Sequence, residues 1–180
     1  MENYIDKKIE KDLKIGKKVE EHLFDLLTME GFECETANIY QDTHEHWDIT
    51  TTINGTFSRI DVKGKTKFDE NDNICLELKT VQGDDGWMKA EKLHTIAFER
   101  DDCFVFVKRI ELLDFVTEKM NEEDAIVGET RIYDDKKDLT RPYQRYTRIK
   151  YSTKDKPRRD VMVYVPFNDF QHLIYKTVYK

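Results

Sequence analysis

Trp47-Asp48-Ile-Thr-Thr-Thr-Ile53-Asn54-Gly55-Thr56-Phe-Ser-Arg-Ile60-Asp61-Val-Lys63 decides how the chain is read. Two β-rich runs flank Asn-Gly, the strongest short-range signal for a two-residue type I′ hairpin. With Asn54-Gly55 as the loop, Ile53 faces Thr56 and paired positions sum to 109, which sets Asp48 opposite Asp61 on one face. Alternation puts Lys63 on the Asp61 face and turns Ile49, Ile53, Ile60 and Val62 to the other, apolar face. Opposed like charges about 5 Å apart are destabilising unless something neutralises them, and a divalent cation is the obvious agent. An ordinary solvated face would rather set a lysine across from Asp48.

On either side of this hairpin the sequence supplies further elements. Ile5, Ile9, Leu13, Val19, Leu23, Leu26 and Leu27 recur at helical spacing, so a helix covers much of residues 3–30, with Gly16 as a possible break and Gly31 as its stop. At 100° per residue, Glu20 borders the apolar arc and can reach over the sheet, while Glu21 points to solvent. A short strand is expected within residues 33–40. Ile74 to Gln82 alternates cleanly as the next strand, leaving Cys75, Glu77 and Lys79 opposite Ile74, Leu76 and Leu78. Three adjacent strands would then present Asp48, Asp61, Lys63, Glu77 and Lys79 together. Gly83 to Gly86 reads as a turn, residues 87–93 as a short helical stretch, and residues 95–98 and 103–108 as strands. Residues 110–120 read as a helix and residues 145–152 with 161–167 as a second hairpin. Asn168 is the expected N-cap of a closing helix. Strands bounded by helices, without strict β-α alternation, indicate an α+β class with a mixed sheet.

Length and composition are compatible with one soluble domain: 180 residues can bury a core, and 37% of them are charged. The expected organisation is a single domain over 1–180, with a core at about 10–110 and a basic extension at about 130–180. No apolar run approaches a membrane span, and the charged N-terminus lacks the apolar region of a secretory signal, so a cytoplasmic location without membrane contact is expected. Cys34, Cys75 and Cys103 are odd in number and widely spaced, which suits reduced thiols. P-loop, Rossmann, serine-hydrolase and zincin markers are all missing. His44 and His46 lie at alternate positions before Asp48, and surface histidines are the preferred reading over a transition-metal site.

The net charge of −7 is uneven. Residues 141–180 hold ten Lys/Arg against three acids, a local +7, which leaves −14 on the first 140. The stretch Arg141-Pro-Tyr-Gln-Arg145-Tyr-Thr-Arg148-Ile-Lys150-Tyr151, continued by Arg158 and Arg159, interleaves tyrosines with cations as a phosphate-tracking, base-stacking surface would. A twisted exposed hairpin with tyrosines on cation stems is the plain alternative.

Asp48, twelve intervening residues, then Asp61-Val-Lys63-Gly64, preceded by Gly16-Lys-Lys-Val-Glu20 on a helix, resembles the PD-(D/E)XK nuclease superfamily, the restriction-endonuclease-like fold. The resemblance covers about residues 10–110. Glu77-Leu-Lys-Thr-Val-Gln-Gly-Asp-Asp-Gly-Trp87 and Ile96-Ala-Phe-Glu99 are also similar to segments of phage-encoded members. Trp47 stands where the motif has proline. The resemblance implies an N-terminal helix, a central β-meander and flanking helices, here with an added C-terminal hairpin and helix. It further implies that Glu20, Asp48 and Asp61 hold Mg²⁺ or Mn²⁺ and that Lys63 assists the attacking water. A second register stays open, in which Asp61 is the first acid and Glu77 with Lys79 the half-motif. The expected activity is metal-dependent hydrolysis of DNA phosphodiesters, by an endonuclease or a junction or flap enzyme. A catalytically silent nucleic-acid-binding or assembly protein on the same fold is the alternative, and an acidic α+β interaction domain a third. Whether the protein pairs as a homodimer stays open.

Overall fold

A computed structural model of the chain describes residues 2–65, 72–80, 84–122, 142–143, 145–150 and 158–180. The fold is α+β with a mixed six-stranded sheet, and the chain divides into two compact units. The first comprises residues 1–66, 91–108 and 174–180; the second comprises 67–90 and 109–173. Among the described residues, no helix is long and apolar enough to cross a membrane.

In the first unit, α1 (Glu2–Met29) runs through Gly16 without a break. It stops as its sequence demands: Gly31 takes φ +87°, its amide donates to the Thr28 carbonyl, and the Phe32 amide donates to the Leu27 carbonyl. This is a Schellman stop, and its apolar clasp joins Phe32 to the Leu27 cluster. Strands β1 (Cys34–Thr36), β2 (Ile49–Ile53), β3 (Thr56–Lys63), β5 (Thr95–Glu99), β6 (Cys103–Lys108) and β9 (Ile174–Tyr179) form the sheet in the order β1-β2-β3-β5-β6-β9. All pairs are antiparallel except β3 with β5. The Asn54-Gly55 hairpin has the expected register, from Ile53↔Thr56 to Ile49↔Ile60, and both loop residues take positive φ, as type I′ requires. Leu23 and Leu27 of α1, fully buried, pack on Ile49, Ile60, Val62, Ala97, Phe104 and Phe106. Full burial of each such side chain contributes about 1.5 to 3 kcal/mol.

In the second unit, β4 (Asn73–Lys79), β8 (Arg158–Pro166) and β7 (Arg145–Lys150) form a three-stranded antiparallel sheet in the order β4-β8-β7. With it come α2 (Arg109–Glu122) and two 3₁₀ turns, Trp87–Lys89 and Phe167–Leu173. Leu76, Met88, Leu112, Val116, Val163, Val165 and Phe170 are fully buried. Gly86 lies against β4 so closely that a Cβ there would stand 2.5 Å from the Glu77 carbonyl oxygen.

Three expectations are corrected. The meander ends at β3: β4 does not follow it in the sheet but pairs with β8, because Ile74, Leu76 and Leu78 alternate with a face that Val163 and Val165 complete. Glu77 and Lys79 are therefore not on a strand adjacent to that of Asp61. No α-helix follows from Asn168: a 3₁₀ turn seats Phe167 and Phe170, and β9 then pairs with β6, burying Val178.

Candidate metal centre

Asp48 directly precedes β2, and the ladder slips there. Its amide donates to the Ile60 carbonyl at 2.8 Å, although the ladder already pairs Ile60 with Ile49. The slip turns the carboxylate inward, where Oδ2 accepts the Val62 amide at 2.7 Å. Asp48 thus uses its side chain where a regular strand would use a carbonyl. It differs from the expected flat pair opposite Asp61, yet stays within the field of that residue. Burial first, and then the Asp61 charge, push the Asp48 carboxyl up to about 8, against the pull of Lys63 and the Val62 amide.

Asp61, on β3, is 5% exposed. The Lys63 ammonium lies 2.8 Å from Oδ1 and 2.7 Å from Oδ2, but only the Oδ1 contact is directed as a hydrogen bond. Oδ2 is buried, in ion contact, and without a directed hydrogen bond. Glu20, half-buried on α1, is raised by burial and then by Asp42 and Asp61. Glu21 is exposed, as the helix geometry requires. Gly64 lets α1 approach the end of β3, since a Cβ there would sit 3.2 Å from Val19 Cγ2, one residue from Glu20.

Sequence reasoning missed the turn before Asp48. Residues Gln41–Glu45 form a π-helical turn that ends on His46 at φ 57°, a left-handed conformation uncommon for a residue other than glycine. His46 is held below its ordinary value mainly by burial and feels Asp61, Lys63 and Asp42. The signal was present as Asn38-x-x-Gln41: the Asn38 side chain accepts the Tyr40 and Gln41 amides, and the Gln41 side chain accepts the Asn38 amide, a capping box that starts the turn. Trp47 is buried and donates through Nε1 to Glu45.

Glu20, Asp48, Asp61 and Lys63 thus share one electrostatic neighbourhood. Glu77 and Lys79 lie on β4, in the other sheet, so the second register loses the strand adjacency on which it rested. Among the described residues, no group of three His, Cys, Asp or Glu side chains converges tightly enough to hold an ion by itself. Mg²⁺, however, commonly takes one or two carboxylates and keeps several waters. Asp48 and Asp61 suit that demand, because Oδ2 of Asp61 has no directed bond and Asp48 has a suppressed charge that a cation would restore.

Of the basic candidates, Arg145, Arg148 and Lys150 are on β7 and Arg158 and Arg159 on β8; Arg141 lies outside the described residues. The ladder puts positions 148, 150 and 158 on the same sheet face as Cys75, Glu77 and Tyr164.

No protein-family model matches the chain, and no curated protein or solved structure matches it.

Proposed function

We propose that the protein is a Mg²⁺- or Mn²⁺-dependent deoxyribonuclease of the PD-(D/E)XK kind, using the Asp61/Lys63 half-motif. The observation that carries this reading is the pairing of a buried aspartate with a lysine two residues on, beside a second carboxylate whose charge is suppressed by burial and by the first aspartate. Asp48 and Asp61 are the residues that would hold the metal, with Glu20 facing them from α1. The bound ion would supply Lewis-acid stabilisation of the phosphate and acidify a water. Lys63 holds its ammonium against Asp61, where it offsets charge developing on the phosphate and fixes the carboxylate's orientation. Asp48, one residue before β2, is itself fixed by the Val62 amide, so both acids are held to β3. The positive charge of Arg145, Arg148, Lys150, Arg158 and Arg159 favours contact with DNA phosphates.

The test incubates the purified chain with linear, circular, branched and single-stranded DNA in Mg²⁺, in Mn²⁺ and in EDTA. Cleavage that requires metal and is lost in Asp61→Asn is expected. DNA bound but uncut in either metal would point to a silent nucleic-acid-binding protein, and neither binding nor cleavage to an interaction domain.

A further inference from the structure

The sheet face that carries Ile60 and Val62 is apolar under α1, but its character changes toward the hairpin. There Ser58 and Thr95, both buried, and Tyr175 line a cavity of about 560 Å³ with Ile53 and Phe57. The three hydroxyls form a chain, with Ser58 Oγ donating to Thr95 Oγ1 at 2.8 Å and Thr95 Oγ1 bonded to Tyr175 OH at 2.9 Å. Tyr175 reaches this face because β9 shifts register against β6 between Phe106 and Val107. The metal-site candidates are elsewhere: Asp61 is three residues on along β3, about 10 Å away, and turned to the opposite face.

Valine or isoleucine would fill these strand positions if the cavity were a packing defect, because a hydroxyl facing an empty apolar void costs free energy and dry cavities are lined with hydrocarbon. A largely apolar cavity of this size into which a few hydroxyls converge suits a small-molecule site, and the volume falls within the usual range. The charge of the lining gives the ligand's sign. Lys108, exposed at its edge, and His94 are its ionisable groups besides Tyr175, and among the described residues no Asp or Glu lines it, in a chain with 37 acids. The His94 ring accepts the Arg59 amide at Nδ1 and meets Phe57 edge to face, their centroids 6.2 Å apart, so the rim is aromatic.

We propose that this cavity binds a small aromatic anion, its ring against Ile53 and its charged group at Lys108 and the hydroxyl chain. Nucleoside monophosphates and aryl carboxylates share that chemistry, and both are tried. The site stands independently of the nuclease reading, since it uses none of the metal-binding residues. The full chain is titrated in EDTA with deoxythymidine monophosphate or benzoate, and with thymidine or benzyl alcohol as their neutral counterparts, while backbone amide shifts are followed by NMR. Saturable shifts at Ser58, Thr95, Lys108 and Tyr175 are expected from at least one anion, with its neutral counterpart at least about tenfold weaker, as removal of one charge-assisted hydrogen bond predicts. Which anion binds identifies the source. Lys108→Ala, at an exposed position, should weaken binding by about the same tenfold, and Thr95→Val should weaken it further if that variant folds. Absence of saturable shifts with either anion, equal binding of the neutral counterparts, wild-type affinity in Lys108→Ala, or shifts confined to Asp48 and Asp61 would each overturn the proposal.

Discussion

The Asp48 carboxylate accepts the Val62 amide at 2.7 Å, so the first acid of the candidate centre is tied to the strand that carries the second. Acid and strand therefore move together, and the two carboxylates are held close whether or not an ion separates them. This enforced closeness has consequences in stability as well as in chemistry.

Asp61→Asn keeps the shape of the site and removes one of the two charges. Metal-dependent cleavage should fall by two or more orders of magnitude, while circular dichroism shows a persisting fold. Melting of the metal-free variant at pH 8 should occur at or above the wild-type temperature, since repulsion on Asp48 is relieved. Full activity in this variant would remove the central claim.

The pH dependence follows from Asp48. Its folded form keeps the proton up to about 8, far above its ordinary 3.8. Between those values the native state binds more protons than the unfolded chain, so stability must fall as pH rises. His46, depressed below 6.5, acts in the opposite sense at lower pH, so the clean window is pH 6.5 to 8. In EDTA the melting temperature should drop across that window, and saturating Mg²⁺ should flatten the drop. A metal-free profile that rises with pH would contradict the assignment.

Lys63→Ala and Lys79→Ala should be unequal. Lys63 is paired with Asp61, whereas Lys79 is exposed on β4 in the other sheet. Turnover should fall at Lys63 with metal affinity little changed, and Lys79→Ala should resemble wild type. Single-turnover rates beside metal titrations give the comparison, and the reverse order would return the half-motif to Glu77 and Lys79.

Neutralising Arg145, Arg148, Arg158 and Arg159 together should weaken duplex DNA binding and lower the slope of log K against log salt by about 0.9 for each phosphate no longer neutralised. Cleavage at saturating DNA should change far less, because the acids lie on other elements. Unchanged affinity and slope would make β7 and β8 structural strands only.

Gly86→Ala should destabilise the protein by about 3 kcal/mol, as overpacking against unyielding backbone does. The added methyl would meet the Glu77 carbonyl oxygen at 2.5 Å. Chemical denaturation measures the cost, and a variant as stable as wild type would mean that β4 and the Gly86 turn can separate freely.

What could be read from sequence was local. Asn54-Gly55 fixed its hairpin because a two-residue loop determines every pair after it, and Gly31 ended α1 because the left-handed stop favours glycine there. The alternation of residues 74–78 identifies a strand, but not that its partner lies near Val163 and Val165. Asn168 carries a capping signal that tertiary packing overrides, since Phe167 and Phe170 are buried in a 3₁₀ turn and Val178 pairs with Phe104. At the site, facing follows from period two, but the slip at Asp48 does not: it depends on a side chain replacing a carbonyl, which alternation does not encode.

The order of strands also sets a schedule for synthesis. β6, the run Cys103-Phe-Val-Phe-Val-Lys108, is bordered by β5 on one side and by β9 on the other, and β9 begins only at Ile174. At ordinary translation speeds the ribosome needs about 3 to 13 seconds to supply the intervening residues. During that time the nascent chain carries an unpaired, strongly apolar sheet edge, the kind that recruits other chains. A product cut short before residue 174 should therefore aggregate rather than persist as a smaller folded protein, even though every acid of the candidate centre is already present in it.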